Sequence, residues 1–445
     1  MIPAQPIYLD EKSESHTLLP THAGNPEAAP ERPQCKGRRK LRFLAAILFA
    51  WVGLRVFGDC LQFLFGMYHR TDGMEPTNSM GWPVPPDVTV EECAEWQGDF
   101  TPGGSRVAFH EPYTSSARFQ LPISSDKLFL LARGMASGAV KVLDGGDGED
   151  VKLGVVAHYR FKEALESFQV CTVTRGEREN GFGIFGPEWS RRNIVRFEVS
   201  VYLPKAIQGS VLDVKNFETD LPLFSHFISD LEHSVHFDAI HLQSSNLPII
   251  VKSLNADKAT IETRNSPIDG NFNVTSSLKL LTANAHVNVN VNLYNDEEKE
   301  ITHLQIGTSN SDIKGTLTLQ SAQRTRGKFQ VTATTSNAPI DLHFSDAPVD
   351  STLLLDAHTS NAPANVKLHE TFEGAFTASS SLKRPTVFWQ GHTADPAGKG
   401  RERKVSIDVR GTTVSGSVRW EGENNKEVLG DVRVGTSLAP LTLRL

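Results

Sequence analysis

Thr335-Ser-Asn-Ala-Pro-Ile-Asp-Leu-His-Phe344 is the stretch that decides the fold. A small polar corner runs straight into Ile340, Leu342 and Phe344 at every second position. That alternation is the period of a half-buried β-strand. The corner returns as Thr359-Ser-Asn-Ala-Pro363. Looser copies are Ser244-Ser-Asn-Leu-Pro248, Arg264-Asn-Ser-Pro267, Thr282-Ala-Asn284 and Thr308-Ser-Asn-Ser-Asp312. The asparagines at 246, 265, 284, 310, 337 and 361 stand 19, 19, 26, 27 and 24 residues apart. More distant copies at Ser379–Pro385, Gly411–Gly416 and Gly435–Pro440 bring the total to nine units.

Self-similarity at this spacing marks a repeat array. One unit is too small to bury its own apolar side, so units stacked about 4.8 Å apart would build a shared core. Asn tolerates left-handed backbone at a corner, and Pro ends strand pairing there. Asparagines of successive units could also stack as a hydrogen-bonded ladder. The flanking strands alternate cleanly, as in Val287, Val289, Val291 and Leu293 with Asn288, Asn290 and Asn292 between them. A sandwich of antiparallel hairpins with Asn-rich turns satisfies the same pattern, but the short repeated unit favours a β-solenoid over residues 238–445. The final Leu441-Thr-Leu-Arg-Leu445 reads as a strand, so the C-terminus is expected to be ordered.

Upstream, residues 105–237 read as an antiparallel β-rich domain. Val151–Phe161 places apolar or aromatic residues at all six odd positions, and Phe197, Val199, Val201 and Leu203 repeat the alternation. The Gly-rich acidic run Asp144–Asp150 lies between two strands. It lacks the ligand spacing and terminal Glu of an EF-hand, and reads as a solvated hairpin turn. Leu223, Phe224, Phe227, Ile228 and Leu231 fit a helical stripe, so a short helix is expected over 221–233. Residues 68–104 form a linker in which Trp82 and Trp96 are placed to pack on the following domain.

The N-terminal segment reads as a membrane anchor. Residues 1–42 form a Pro-rich disordered tail ending in the basic run Lys36, Arg38, Arg39, Lys40 and Arg42. Residues 43–67 form an apolar segment long enough for one transmembrane helix. Arg55 and Asp59 interrupt it four residues apart, a spacing that lets them pair on one helix face. A cleaved signal peptide fits poorly, because the preceding tail is too long and no small-residue cleavage site follows. The basic flank orients the segment as a type II signal-anchor. The N-terminus is then cytosolic and the C-terminal domain extracellular or lumenal.

Lys and Arg number 45 against 52 Asp and Glu, a net charge of −7 that argues against a nucleic-acid partner. Four cysteines exclude a disulfide-dense scaffold. Cys93 and Cys171 both fall on the expected outer side and are candidates for one disulfide. Cys35 and Cys60 flank or enter the span, where Cys60 reads as a buried thiol. Asn273-Val-Thr275 is the sequon that follows the span and makes Asn273 a candidate glycosylation site.

The Thr-Ser-Asn-Ala-Pro-Ile corner, preceded by Phe197-Glu-Val-Ser-Val-Tyr-Leu-Pro204, resembles the putative-adhesin β-helix family of bacteria and fungi. The basic tail before a single span resembles its uncharacterised fungal single-pass members. The resemblance covers roughly residues 105–445. It implies an adhesin-like β-helix and brings no catalytic residues.

The residues themselves offer little chemistry. No nucleophile elbow, P-loop, dinucleotide fingerprint or HExxH is present. His226, His233, His236 and His241 cluster near Asp230, Glu232 and Asp238. On a helix three of the histidines would share a face, but surface and capping roles explain them as well, and no metal ligand is assigned. Polysaccharide-cutting β-helices use clustered carboxylates or an Asp/Lys/Arg set on one face. The positions four after the corner asparagines include Ile250, Asp269, Lys314, Asp341 and Asn365, which form no acidic column. No catalytic residue and no cofactor are expected. The chain reads as a non-catalytic, membrane-anchored, adhesin-like surface scaffold whose partners are the membrane and either glycans or surface proteins. A carbohydrate-active enzyme acting on cell-wall polysaccharide is the alternative.

Overall fold

The computed structural model describes residues 82–102, 113–188, 195–206, 210–296, 300–389, 394–421 and 430–445. The tail and the apolar segment 43–67 lie outside the described residues. Among those described, no helix is long and apolar enough to cross a membrane. Among the described residues, twenty-seven strands and one short helix, α1 (Lys162–Glu166), make up the regular structure.

The strands assemble along two ladders. In the first, β2 (Gln97–Pro102), β3 (Tyr113–Leu121), β6 (Val151–Tyr159) and β9 (Val195–Pro204) pair antiparallel. From β9 onward every step is parallel. It runs through β5 (Ser137–Gly146), β11 (Phe224–Asp230) and the first parts of β13 (Ile249–Glu262) and β14 (Ile268–Leu281). It continues through β15 (Val287–Tyr294), β17 (Ile313–Gln320), β19 (Ile340–Asp346) and β21 (Ala364–Lys367). The second ladder begins antiparallel with β1 (Thr89–Cys93), β7 (Gln169–Thr174) and β8 (Glu179–Phe185). It turns parallel through β4 (Lys127–Arg133), β10 (Leu212–Asp220), β12 (Val235–Gln243) and the second parts of β13 and β14. It then passes through β16 (Thr302–Gly307), β18 (Lys328–Thr335) and β20 (Thr352–Thr359). Each repeat therefore gives one strand to each ladder.

Parallel, in-register pairing stacks like positions on like. Ile249, Ile268, Val287, Ile313, Ile340, Ala364 and Leu441 share one inward column, each at most 1% exposed. Burial of one such branched side chain stabilises by about 1.5–3 kcal/mol. The inward residues of both ladders join in one core that runs from Ala117 to Leu443. The position between 237 and 238 lies inside β12, and the described residues from 82 to 445 belong to one compact unit. Trp96 packs on the main core, and Trp82 packs on a smaller cluster with Val84, Val88, Phe129 and Phe185.

The far end is built out of sequence order. β26 (Asp431–Thr436) lies between β20 and β22 (Gly374–Ser380). β27 (Leu441–Arg444) lies between β21 and β23 (Thr386–Phe388). The last residues of the chain thus fill an inner layer, while an earlier segment covers them. The hairpin of β24 (Arg403–Arg410) and β25 (Thr413–Trp420) extends the second ladder antiparallel from β22.

Four expectations are corrected. Residues 224–230 form strand β11, not a helix: Phe224, His226 and Ile228 are buried alternately, and pairing with β5 and β13 on both sides overrides the helical stripe. The region 105–237 is mixed rather than antiparallel, because β4, β5, β10 and β11 all pair in parallel. Gly411–Gly416 is not a repeat corner but the start of a hairpin between β24 and β25, with Gly411 at φ 63°. Among the described residues, no corner asparagine has left-handed backbone.

Candidate functional site

The corner asparagines serve through their side chains. Nδ2 of Asn265 donates to Oδ1 of Asn246, and the pattern repeats through Asn284, Asn310, Asn337 and Asn361, each at 2.7 Å. Stacking one repeat on the next aligns the amides. The residue two before each Asn has its own role. Thr308, Thr335 and Thr359 are buried and donate their hydroxyls to carbonyls of the preceding corner, Ala285, Ser311 and Ala338, at 2.9–3.2 Å. Those hydroxyls satisfy backbone oxygens that the turn would otherwise leave unpaired. Beyond Asn361 the column continues with Leu438, whose amide donates to Ser360, and the asparagine ladder ends.

The same register builds an outward face on the first ladder. Ile250, Asp269, Asn288, Lys314, Asp341 and Asn365 stack in one column, as their spacing from the corners implies. A neighbouring column holds Asn271, Asn290, Thr316, His343 and Lys367. Nδ2 of Asn290 donates to Asn271 at 2.8 Å. The face offers amide donors and acceptors, ammonium groups and carboxylates at a repeat of about 4.8 Å. It holds no stacked carboxylate pair. At one end Phe227 and Ile250 lie side by side and are 36% and 43% exposed, giving this polar face an apolar margin.

The residues singled out from sequence fall in distinct places. Cys93 of β1 stands opposite Cys171 of β7, and their sulfurs are bonded across Cα atoms 3.9 Å apart. The bond ties the edge strand β1 to the second ladder. Asn273 lies half-buried on β14, where its Oδ1 accepts from Asn292 at 2.6 Å. The sequon hydroxyl of Thr275 donates to Asp257. Both sequon side chains are thus engaged in the ladder. Asp144–Gly146 end β5, and Asp147–Asp150 form an exposed bend before β6, with Gly145 and Gly148 at φ 81° and 95°.

The histidine cluster separates. His226 faces inward from β11, and its Nε2 lies 2.8 Å from the hydroxyl of Thr219. Burial pushes its pKa down to about 4, against an opposing backbone hydrogen bond with Phe224. His236 and Asp238 face outward from β12, beside Asp257 of β13. Sequence reading did not find His369, which is 3% exposed and packs edge-on against Phe344 and Phe372. Burial, then the nearby Arg403 charge, pushes its pKa down to about 3. With Lys367, His343 and Glu370 it lines a shallow cleft of about 180 Å³. No local motif marks His369, since its burial arises from the packing of the C-terminal layers.

No protein-family model matches the chain. No curated protein matches it. Among solved structures, the chain is similar to a "putative cell adhesion protein" of Clostridium sporogenes, with 11% identity, coverage of 74% of this chain and 99% of that one, and a TM-score of 0.18. It is also similar to a "putative adhesin" of Parabacteroides distasonis, with 7% identity, coverage of 75% and 97%, and a TM-score of 0.30. Scores this low lend no weight to either name, and the functional reading rests on the chain's own geometry.

Proposed function

We propose that the two ladders wind as one β-solenoid, and that its outward face makes non-catalytic, adhesin-like contacts with glycans or surface proteins. The observation that carries this reading is the in-register column Asp269, Asn288, Lys314, Asp341 and Asn365. Repeating donors and acceptors on a sheet match a ligand that itself repeats, such as a chain of sugar hydroxyls. A solenoid suits that task because its length comes from stacking alone. In this reading the apolar segment 43–67 holds the protein in a membrane, with the solenoid outside the cytosol.

Two measurements test it together. Protease treatment of sealed microsomes carrying the full chain, tagged at both ends, is expected to cut the N-terminal tag and spare the C-terminal one. Glycan-array binding by the purified full chain is expected to weaken on Lys314→Ala or Asn290→Ala. Cutting of both tags would place the face in the cytosol and end the adhesion reading. Turnover of cell-wall polysaccharide, lost on replacing a carboxylate, would replace it with an enzyme.

A further inference from the structure

The strand geometry regroups the histidines into a different constellation. On β12, His236 and Asp238 are two residues apart and share the outward side. The pairs Phe237 with Ala256 and Ala239 with Lys258 hold β12 and β13 in register, so Asp238 stands opposite Asp257 of the next repeat. One ligand atom from each of His236, Asp238 and Asp257 lies within 4.8 Å of the others.

Two features distinguish this trio from a solvated acidic patch. The first is a gap. Nε2 of His236 is 3.6 Å from Oδ1 of Asp257. That is too long for a hydrogen bond. It lies near the edge of about 3.3 Å that joins two ligands of a tetrahedral ion at bond lengths of about 2.0–2.1 Å. The second is charge. In the column of Asp269, Lys314 lies between Asn288 and Asp341. Asp238 and Asp257 instead place two carboxylates opposite each other, an arrangement that destabilises a sheet unless it is compensated. Lys215 of β10, which the register places beside Asp238, instead bonds Asp126 at 2.6 Å. The hydroxyl of Thr275 donates to Asp257 and fixes its orientation, the kind of outer contact that metal ligands use.

We propose that His236, Asp238 and Asp257 bind one divalent transition-metal ion of the zinc class, bridging β12 and β13. An imidazole ligand favours such an ion over calcium or magnesium, which prefer oxygen donors alone. Three protein ligands leave at least one coordination position for water or for an oxygen of a bound partner. The site stands on its own geometry and does not depend on the glycan reading.

The test uses the purified full chain in detergent, stripped with a chelator and titrated with Zn²⁺, then with Co²⁺ to read ligand-field absorption. One saturable Zn²⁺ site is expected, with excess Ca²⁺ failing to compete. Asp238→Asn and His236→Gln should each weaken Zn²⁺ binding by about tenfold or more and abolish the cobalt bands. Asp269→Asn is the control, since it alters a separate Asp–His pair with His286 at 3.3 Å, and should leave both readouts unchanged. Without metal, Asp238→Asn should melt higher than the parent chain, because it removes the like-charge pair. Circular dichroism checks that each variant is folded. Equal Zn²⁺ affinity in the parent and folded variants, or no binding by the parent at millimolar Zn²⁺, would overturn the proposal.

Discussion

The asparagine ladder has a direction, and that direction can be tested. Each Nδ2 donates to the Oδ1 of the preceding repeat. Asn246 therefore enters the ladder as an acceptor toward Asn265, and Asn361 as a donor toward Asn337. Asn→Asp keeps the acceptor and removes the donor. At Asn246 the substitution preserves the ladder bond and makes its acceptor anionic, which strengthens a hydrogen bond. At Asn361 it deletes the bond and sets a carboxylate against the carbonyl oxygen of Asn337. Hydrogen bonds of this kind contribute about 0.5–1.5 kcal/mol net, and solvent at this exposed corner holds them to the lower part of that range. Asn246→Asp should then be nearly neutral, while Asn361→Asp costs about 1 kcal/mol or somewhat more once oxygen–oxygen repulsion is added. Asn310→Ala, which removes one bond on each side, should cost about 1–2 kcal/mol. Both Asp variants add the same charge to the same edge, so general charge effects largely cancel in the comparison. Urea denaturation of the full chain, with a common slope, reads the difference as a shift in midpoint. Equal shifts for Asn246→Asp and Asn361→Asp would refute a directional ladder.

Three further outcomes follow from the packing. The buried imidazoles have folded pKa values below the unfolded value of 6.5, so the unfolded chain binds protons first and stability falls as pH drops from 6.5 toward about 4 for His226 and about 3 for His369. For His226 the loss is about 3 kcal/mol across that window, and His226→Gln should flatten the pH dependence of the urea midpoint; an unchanged slope would count against the assignment. The Cys93–Cys171 bond closes a separation of 78 residues, for which chain entropy gives about 4.5 kcal/mol. Reduction should lower the melting temperature of the parent chain and leave Cys93→Ser unaffected, whereas a drop in both would place the effect elsewhere. Deleting residues 431–445 removes Val432, Val434, Leu441 and Leu443, each at most 1% exposed, a loss of about 6–12 kcal/mol of apolar burial. The deletion also leaves β20, β21, β22 and β23 without their shared partners, so light scattering should show aggregation, and a folded monomer would contradict the inserted layer.

What was legible in the sequence and what was not divide along one physical line. The corners could be read because each is local: five or so residues carry the buried hydroxyl, the stacking amide and the proline that ends the strand. The column Asp269, Asn288, Lys314, Asp341 and Asn365 could also be read, because equal distance from a corner implies equal height on the stack. Strand β11 was misread because Leu223, Phe224, Phe227, Ile228 and Leu231 satisfy a helical stripe, while Phe224, His226 and Ile228 satisfy a strand; only neighbours on both sides decide between them. Of the two roles read for the corner Asn, left-handed backbone is absent among the described residues and the amide ladder is present, though its bonds exist only once two repeats are in register. The trio His236, Asp238 and Asp257 is hidden for the same reason, since the third member comes from the next repeat. The far end is the hardest case. Gly435–Pro440 matches the corner pattern as well as Ser379–Pro385 does, so nothing in either segment says which lies outside. Layer order there is a competition between two similar segments for the surface offered by β20 and β21. The C-terminal one, with Val432, Val434, Leu441 and Leu443 facing inward and no long loop inside it, fills that inner layer. The segment that carries the β24–β25 hairpin takes the outer position, where a protruding hairpin meets no further repeat.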